Sequence, residues 1–313
     1  VYVYLVRRLI ATLPVMVVVG VFVFSLLYLA PGDPAALVAG DLATADDIAR
    51  IRDKLGLNEP FPIRFVQWSW GLLHGDLGVS IFSNLPVARL IAQRVEPTAA
   101  LAATTILFAV VLAVPMGVLA AWKAGTWIDR VVMGFAVLGF SFPVFVSAYL
   151  LIYGFAIRLE WLPVEGYSPL GAGVGPFLAN LVLPTVALGS IYMALIARIT
   201  RTSVLEVLSE DYIRTAHAKG LAASSVLVGH ALKNAGVPIV TVIGLGIGLL
   251  MGGVVITESV FGIPGIGRLT VDAILARDYP VIQGVILVFS GVYVLVNLLV
   301  DLSYALIDPR IRY

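Results

Sequence analysis

Six long apolar runs divide this chain of 313 residues, at positions 9–30, 98–122, 131–157, 177–197, 237–257 and 281–304. A helix rises about 1.5 Å per residue, so roughly 20 residues cross the ~30 Å hydrocarbon layer of a bilayer. Inside that layer the backbone donors and acceptors need partners within their own segment, which a helix supplies. The runs therefore predict an all-α polytopic membrane protein with six transmembrane helices. Composition agrees: 60% of residues are hydrophobic and 12% are charged, against about 25% charged in soluble domains. The first run follows Arg7 and Arg8 and lacks a small-residue cleavage site, so it reads as a retained span and not a signal peptide.

An even number of spans places both termini on one side. The N-terminus, 123–130, 198–236 and the tail together hold 11 Lys/Arg, while the opposite loops hold 9 Lys/Arg against 13 Asp/Glu. The positive-inside bias makes the first set cytoplasmic. The chain divides into a first span (1–30), an external helical cap (31–97), a five-helix unit with a cytoplasmic loop at 198–236 (98–304), and a cytoplasmic tail (305–313). Within the cap, Thr44-Ala45-Asp46-Asp47 reads as a capping box opening a helix that ends at Leu55-Gly56, with Ile48, Ile51 and Leu55 on one stripe. A second short helix is predicted over 63–73, with Trp68 and Trp70 near the membrane surface.

Gly244, Gly248 and Gly252 repeat every four residues along the fifth span. Small residues let helix backbones approach closely in lipid, and the face fits either packing within the chain or a seam against a second, similar subunit. Pro115, Pro143 and Pro184 fall inside spans and predict kinks or opened backbone bonds. The middles of the spans lack Asp, Glu, Lys, Arg and His. The polar groups at depth are mild, Ser141, Asn180 and Ser190 among them, and these are the candidates to line a permissive pathway. A proton relay needs ionisable groups at that depth, so the pattern argues against one. The absence of cysteine excludes disulfides and thiolate chemistry, the three histidines fall in predicted loops, and the sequence has no G-x-x-x-x-G-K-[ST] phosphate loop. The chain reads as a membrane pathway without its own energy source, neither an enzyme nor a nucleic-acid binder.

The polar island 198–236 holds a short helix with its own start and stop signals. Ser209 is placed to cap it, Glu210 and Asp211 occupy its first turn, Lys219 its last, and Gly220 ends it. Tyr212, Ile213 and Ala216 form an apolar ridge, with Arg214 and Lys219 nearby. A second helix is predicted over 221–234. Such an element between spans suits docking to a partner in the adjoining water.

The string Arg214-Thr-Ala-His-Ala-Lys-Gly220, followed by Leu232, resembles the cytoplasmic coupling motif E-A-A-x-x-x-G-x9-I-x-L-P of permease subunits in binding-protein-dependent ABC importers. Ala216, Gly220 and Leu232 keep that pattern, whereas Arg214, Thr215, His230 and Lys233 depart from it. Those departures resemble the peptide/nickel branch. So do Pro31-Gly-Asp-Pro34, Gly75-Asp-Leu-Gly-Val-Ser80 and Glu258-Ser-Val-Phe-Gly-Ile-Pro-Gly-Ile-Gly267. The likeness covers nearly the whole chain and points to the first of two permeases in a dipeptide or oligopeptide importer, with the type I importer fold.

The resemblance implies further expectations. The partners would be a second homologous permease, two ATPase subunits that use ATP and Mg, a periplasmic or extracellular binding protein and a peptide cargo; no cofactor would bind this chain. Asp211, Tyr212, Arg214, Thr215, Ala216, Lys219 and Gly220 would meet the ATPase. Glu258, Phe261, Pro264, Gly265 and Gly267 would form an external gate or binding-protein contact. The location would be the bacterial inner membrane. A nickel chelate, glutathione or sugar-oligomer cargo stays open, as does a stand-alone channel or carrier.

Overall fold

A computed structural model describes residues 2–29, 33–40, 43–54 and 56–307. The expectations for Pro31 and Gly32, for Leu55 and for the tail from 308 onward lie outside the described residues. Among the described residues, five helices are long and apolar enough to cross a membrane. They are α1 (Tyr2–Leu29, apolar from Ile10), α6 (Val95–Trp122), α9 (Val174–Leu208), α12 (Gly236–Val260) and α14 (Tyr279–Ile307). A sixth span is a bent pair, α7 (Trp127–Ser141) with α8 (Val144–Leu151), the latter continuing as π-helix over Ile152–Arg158. Between α1 and α6 lie α2 (Pro34–Ala39), α3 (Ala45–Lys54), α4 (Phe61–Leu73) and α5 (Val87–Ala92). Two short helices, α10 (Asp211–Ala218) and α11 (Ala223–Ser225), follow α9, and α13 (Ile266–Ala276) follows α12.

Three departures from the sequence expectation have local causes. The pair α7–α8 turns through 101° at its break. Phe142 there is extended, at φ −97° and ψ 131°, because the ring of Pro143 disfavours helical geometry in the residue before it. Pro115 and Pro184, by contrast, lie inside continuous helices, so only one of the three prolines breaks its span. Helix α9 does not stop at Ala197 but continues to Leu208, 35 residues in all. Arg198 and Arg201 are thus helical, since nothing in 198–208 breaks a helix. The helix predicted over 221–234 is α11 followed by a π-helical segment, Val226–Leu232.

Helix α9 is the axis of the core, packed against α6, α7, α8 and α12. Its contact with α6 is close because Gly117 has no side chain: a Cβ there would come within 2.6 Å of the Ala197 carbonyl oxygen and 2.7 Å of Thr200 Cβ. Gly189 accepts the Phe108 ring in the same way. The bundle has two ends. At one, Ala121, Val204, Leu227, Ala231, Ala235 and Ile239 form a buried cluster beside α10. At the other, Val87, Ile91, Ile266, Leu269, Ala273, Val281 and Val285 gather α5, α13 and the start of α14.

The segment between α1 and α6 is anchored at that second end. Phe24 of α1 meets Phe61, Phe65 and Trp68 of α4 with ring centroids 5.2–5.4 Å apart. Trp68 therefore packs against a helix, while Trp70 is exposed against His74. The capping box forms: the Thr44 amide and hydroxyl donate to Asp47 at 3.1 and 2.6 Å, and the Asp47 amide donates back to Thr44 Oγ1 at 3.3 Å. Those bonds hold the Asp47 carboxyl below its ordinary range.

Candidate functional site

Helix α10 is short and two-faced. Ile213 and Ala216 are buried, packed with Val226 and against Val207 and Leu208. Asp211, Tyr212, Arg214, Thr215, Lys219 and Gly220 are exposed. The apolar ridge assigned to docking is thereby corrected: Ile213 and Ala216 face their own chain, and Ala216 is small because α10 lies close on its own support. Of that ridge only Tyr212 stays outside, its hydroxyl accepting from Asn234 Nδ2 at 2.9 Å. Asp211 and Arg214 bond to each other at 3.2 Å.

The capping expectation is corrected too. Ser209 does not cap α10, since its hydroxyl donates to the Glu206 carbonyl at 2.6 Å and so closes the end of α9. Glu210 occupies the cap position with no side-chain bond, and Lys219 follows the helix as its C-cap. Gly220 ends the element at φ +80°, and a Cβ added there would meet no atom within 4 Å. The left-handed backbone explains the glycine without any partner.

An ion pair that the sequence does not disclose stands beside this element. Arg201 Nε and Nη2 donate to the two Asp129 carboxylate oxygens at 2.6 and 2.7 Å, and the Gly125 amide adds a third bond at 3.0 Å. Asp129 is buried, its side chain 7% exposed. It lies in the first turn of α7, where the helix dipole also favours an acid. The partners are 72 positions apart, and no local pattern links them.

At the opposite end, the segment after α12 is a buried brace. Glu258 is fully buried. Its carboxylate accepts from Thr98 Oγ1 at 2.6 Å and from the Arg268 amide at 3.0 Å, and also from the Gly267 amide. Thr98 Oγ1 in turn accepts from the Ile266 amide at 2.8 Å. The carboxylate thus satisfies the free amides at the start of α13. Gly265 and Gly267 leave room for it, because a Cβ at either would run into its oxygens. Gly166 N donates to the Phe261 carbonyl at 2.9 Å, drawing in the loop after the bent span. In that loop the Tyr167 hydroxyl donates to Glu96, and burial first, then that bond, push its pKa up to about 12.

This burial corrects the external-contact assignment. Glu258, Phe261, Gly265 and Gly267 are buried, so of the five candidates only Pro264 is exposed to meet another protein. A second tie escapes the sequence reasoning: Ser80 Oγ donates to the buried Asp278 at 2.5 Å and the Ile81 amide donates to it at 3.3 Å. Ser80 ends the string Gly75–Ser80 and Asp278 follows α13, so the one available signal is that motif position.

The fifth-span glycines are corrected in part. A Cβ at Gly244 would overlap Val300 and one at Gly248 would lie 2.5 Å from the Tyr293 ring, both on α14 of the same chain. Gly252 alone of the three has open space. An apolar groove of about 660 Å³ opens at Gly248, lined by residues of α9, α12 and α14, including Leu195, Ile199, Leu245, Leu249 and Tyr293. The structure does not bring the pathway candidates Ser141, Asn180 and Ser190 together into one cluster. The hydroxyls of Ser141 and Ser190 bond to carbonyls of their own helices at 2.7 and 2.9 Å. The Asn180 amide bonds to Ser168 and to the Pro176 carbonyl. None of the three lines the groove.

A bundle of long apolar helices with one short helix mounted at one end and a braced turn at the other is the architecture of a membrane-spanning subunit. The chain belongs to the family of inner membrane components of binding-protein-dependent transport systems. One model of that family matches residues 113–313, and a model of its N-terminal region matches residues 1–102. A probable peptide ABC transporter permease protein of Sinorhizobium fredii is 57% identical over 311 residues, covering 99% of each chain. A glutathione transport system permease protein of Salmonella choleraesuis is 43% identical over 310 residues, also covering 99% of each. A chain of the MetNI methionine ABC transporter, in an inward-facing conformation, superposes with a TM-score of 0.58 at 19% identity, over 70% of this chain and 96% of that one. That likeness supports the type I importer permease fold.

Proposed function

We propose that this permease imports dipeptides or oligopeptides, as half of a pathway completed by a second homologous permease and driven by two separate ATPase subunits. The observation that carries the reading is α10, clamped by its apolar side onto its own chain and presenting Asp211, Tyr212, Arg214, Thr215, Lys219 and Gly220 outward. A helix held that way can pass a push inward instead of yielding to it. Arg214 and Lys219 supply charge-assisted donors to an ATPase groove. The side carrying α10 is the cytoplasm, from the excess of Lys/Arg in its loops. The opposite end, with Pro264 at its exposed turn, meets a soluble binding protein. Domain-like division into first span, outer cap and five-helix unit follows the same reading. Peptide cargo is favoured by the relatives named for peptide transport, and glutathione, itself a short peptide, is the second reading, from the relative named for it.

The test is ATP hydrolysis by the purified complex, with and without binding protein loaded with peptide. Stimulation by the loaded protein is the expected result. Peptide flux through this chain alone, without ATP, would overturn the proposal.

A further inference from the structure

We propose that the Asp129–Arg201 pair is a strut that carries movement of α10 into the bent span α7–α8. This rests on the reading of α10 as the ATPase-docking element, and it names how a push there reaches the middle of the bundle.

The last turns of α9, α10 and the Val226–Leu232 segment are one packed body. Val207 and Leu208 pack on Ile213, Ala216 and Val226, Val204 joins Leu227 and Ala231, and Tyr212 bonds to Asn234. Force on the exposed face of α10 therefore moves the body as a whole. Arg201 stands on it, one turn before Val204 in the same continuous helix.

Helix α7 is tied to α9 at two heights, the lower of them on this body. The lower tie is the Arg201 fork on Asp129, with Gly125 holding the same carboxylate. The upper tie is Gly139, where a Cβ would sit 2.9 Å from the Ser190 carbonyl oxygen, so that α7 lies against bare α9 backbone. On α9 the two ties are eleven residues apart, about 16 Å along the axis. Held at both points, α7 follows α9. Without the fork, α7 keeps only the apolar packing of Val132 and Ala136 and the close approach at Gly139, on which it can slide and tilt, and the 101° elbow next to Gly139 absorbs the motion instead of passing it to α8.

The chemistry suits this task better than stabilisation. Two parallel bonds from a planar guanidinium fix direction as well as distance. A buried ion pair adds little net stability compared with an apolar pair of similar volume. An apolar replacement should therefore preserve the fold while allowing the helices to slide.

The experiment uses the assembled transporter with its ATPase subunits, free of reactive cysteines elsewhere; this chain has none. In Asp129→Leu/Arg201→Met the complex is recovered at normal yield, and peptide imported per ATP hydrolysed falls at least tenfold. In Asp129→Cys/Arg201→Cys the same ratio falls, and a short bifunctional thiol cross-linker restores it to within about threefold of the parent. Normal coupling in the Leu/Met variant would overturn the strut. So would a cross-link that abolishes the remaining import, since the pair would then have to separate during the cycle. If the Leu/Met variant does not assemble, the cysteine pair decides alone. Gly220→Trp is measured in parallel: normal coupling there removes the docking reading itself, whereas loss there with normal coupling in the pair variants removes only the strut.

Discussion

The Ser80 hydroxyl donates to Asp278 across 198 positions of sequence, in a bond of 2.5 Å that is closed to solvent. It ties the segment before α5 to the junction of α13 and α14, at the end of the bundle where Glu258 makes a second tie. The two ties turn the connection after α12 into a rigid part of the scaffold.

Removing the first tie leaves a buried carboxylate with one donor fewer. Ser80→Ala should cost about 1–3 kcal/mol, read as a lower Tm of the solubilised chain. The double variant with Asp278→Ala should cost less than the sum of the two single changes, because both delete the same bond. Strict additivity would show that the bond is not what holds the segment.

Glu258 serves three donors, so its loss is the larger one. Glu258→Ala strands the Thr98 hydroxyl and the amides of Gly267 and Arg268, on the order of 3 kcal/mol in all. Glu258→Gln fits the space but turns an amide donor toward one of those donors and should recover only part. Thr98→Val should cost about 1–3 kcal/mol, because it leaves both the Ile266 amide and the Glu258 carboxylate one partner short. Thermal unfolding ranks the three, and an unchanged Tm for Glu258→Ala would refute the brace.

The fifth-span glycines separate packing within the chain from packing against another chain. Gly244→Leu places bulk onto Val300, and overpacking of this kind costs about 1–3 kcal/mol or more. It should reduce recovery of folded monomer. Gly252→Leu meets open space and should leave the monomer intact while reducing capture of the second permease in a pull-down. Equal capture by Gly252→Leu and the parent would place the permease seam elsewhere.

Gly220 separates backbone from contact. Gly220→Asn keeps the left-handed geometry accessible and should retain most uptake. Gly220→Trp should insert and fold, yet lose coupling between ATP hydrolysis and uptake, because the new side chain stands where a partner would seat. Normal uptake by Gly220→Trp would exclude close docking at α10.

The Thr44–Asp47 cap should respond to acid. The folded carboxyl of Asp47 titrates below its unfolded value. Its contribution is therefore complete above the unfolded pKa of about 3.9 and is lost as pH falls through the lower folded value. Amide exchange in the first turn of α3, compared between pH 7 and acid, should show that loss, and Thr44→Ala should remove the pH dependence.

Local signals are legible wherever neighbours along the chain decide the outcome. The capping box, the stop at Gly220 and the break at Pro143 all follow from steric and hydrogen-bonding rules acting over a few residues. Hydropathy places the end of α9 too early because it marks where lipid stops, and a helix continues beyond that point until something breaks it. Ser209 misleads for a related reason: a serine between two helices can close the first or open the second, and only the geometry chooses.

The sequence by itself determined a bundle of membrane helices, the family and the presence of a short polar helix between the fourth and fifth spans, since apolar length, turn chemistry and motif strings are written in consecutive residues. The tertiary structure decided which faces remain available. Ala216 and Gly244 are occupied by their own chain, Glu258 is a brace and not a contact, and Asp129 is joined to Arg201. Such facts depend on residues brought together from distant positions, where burial and pairing are set by the packing of whole helices and not by the order of residues along any one of them.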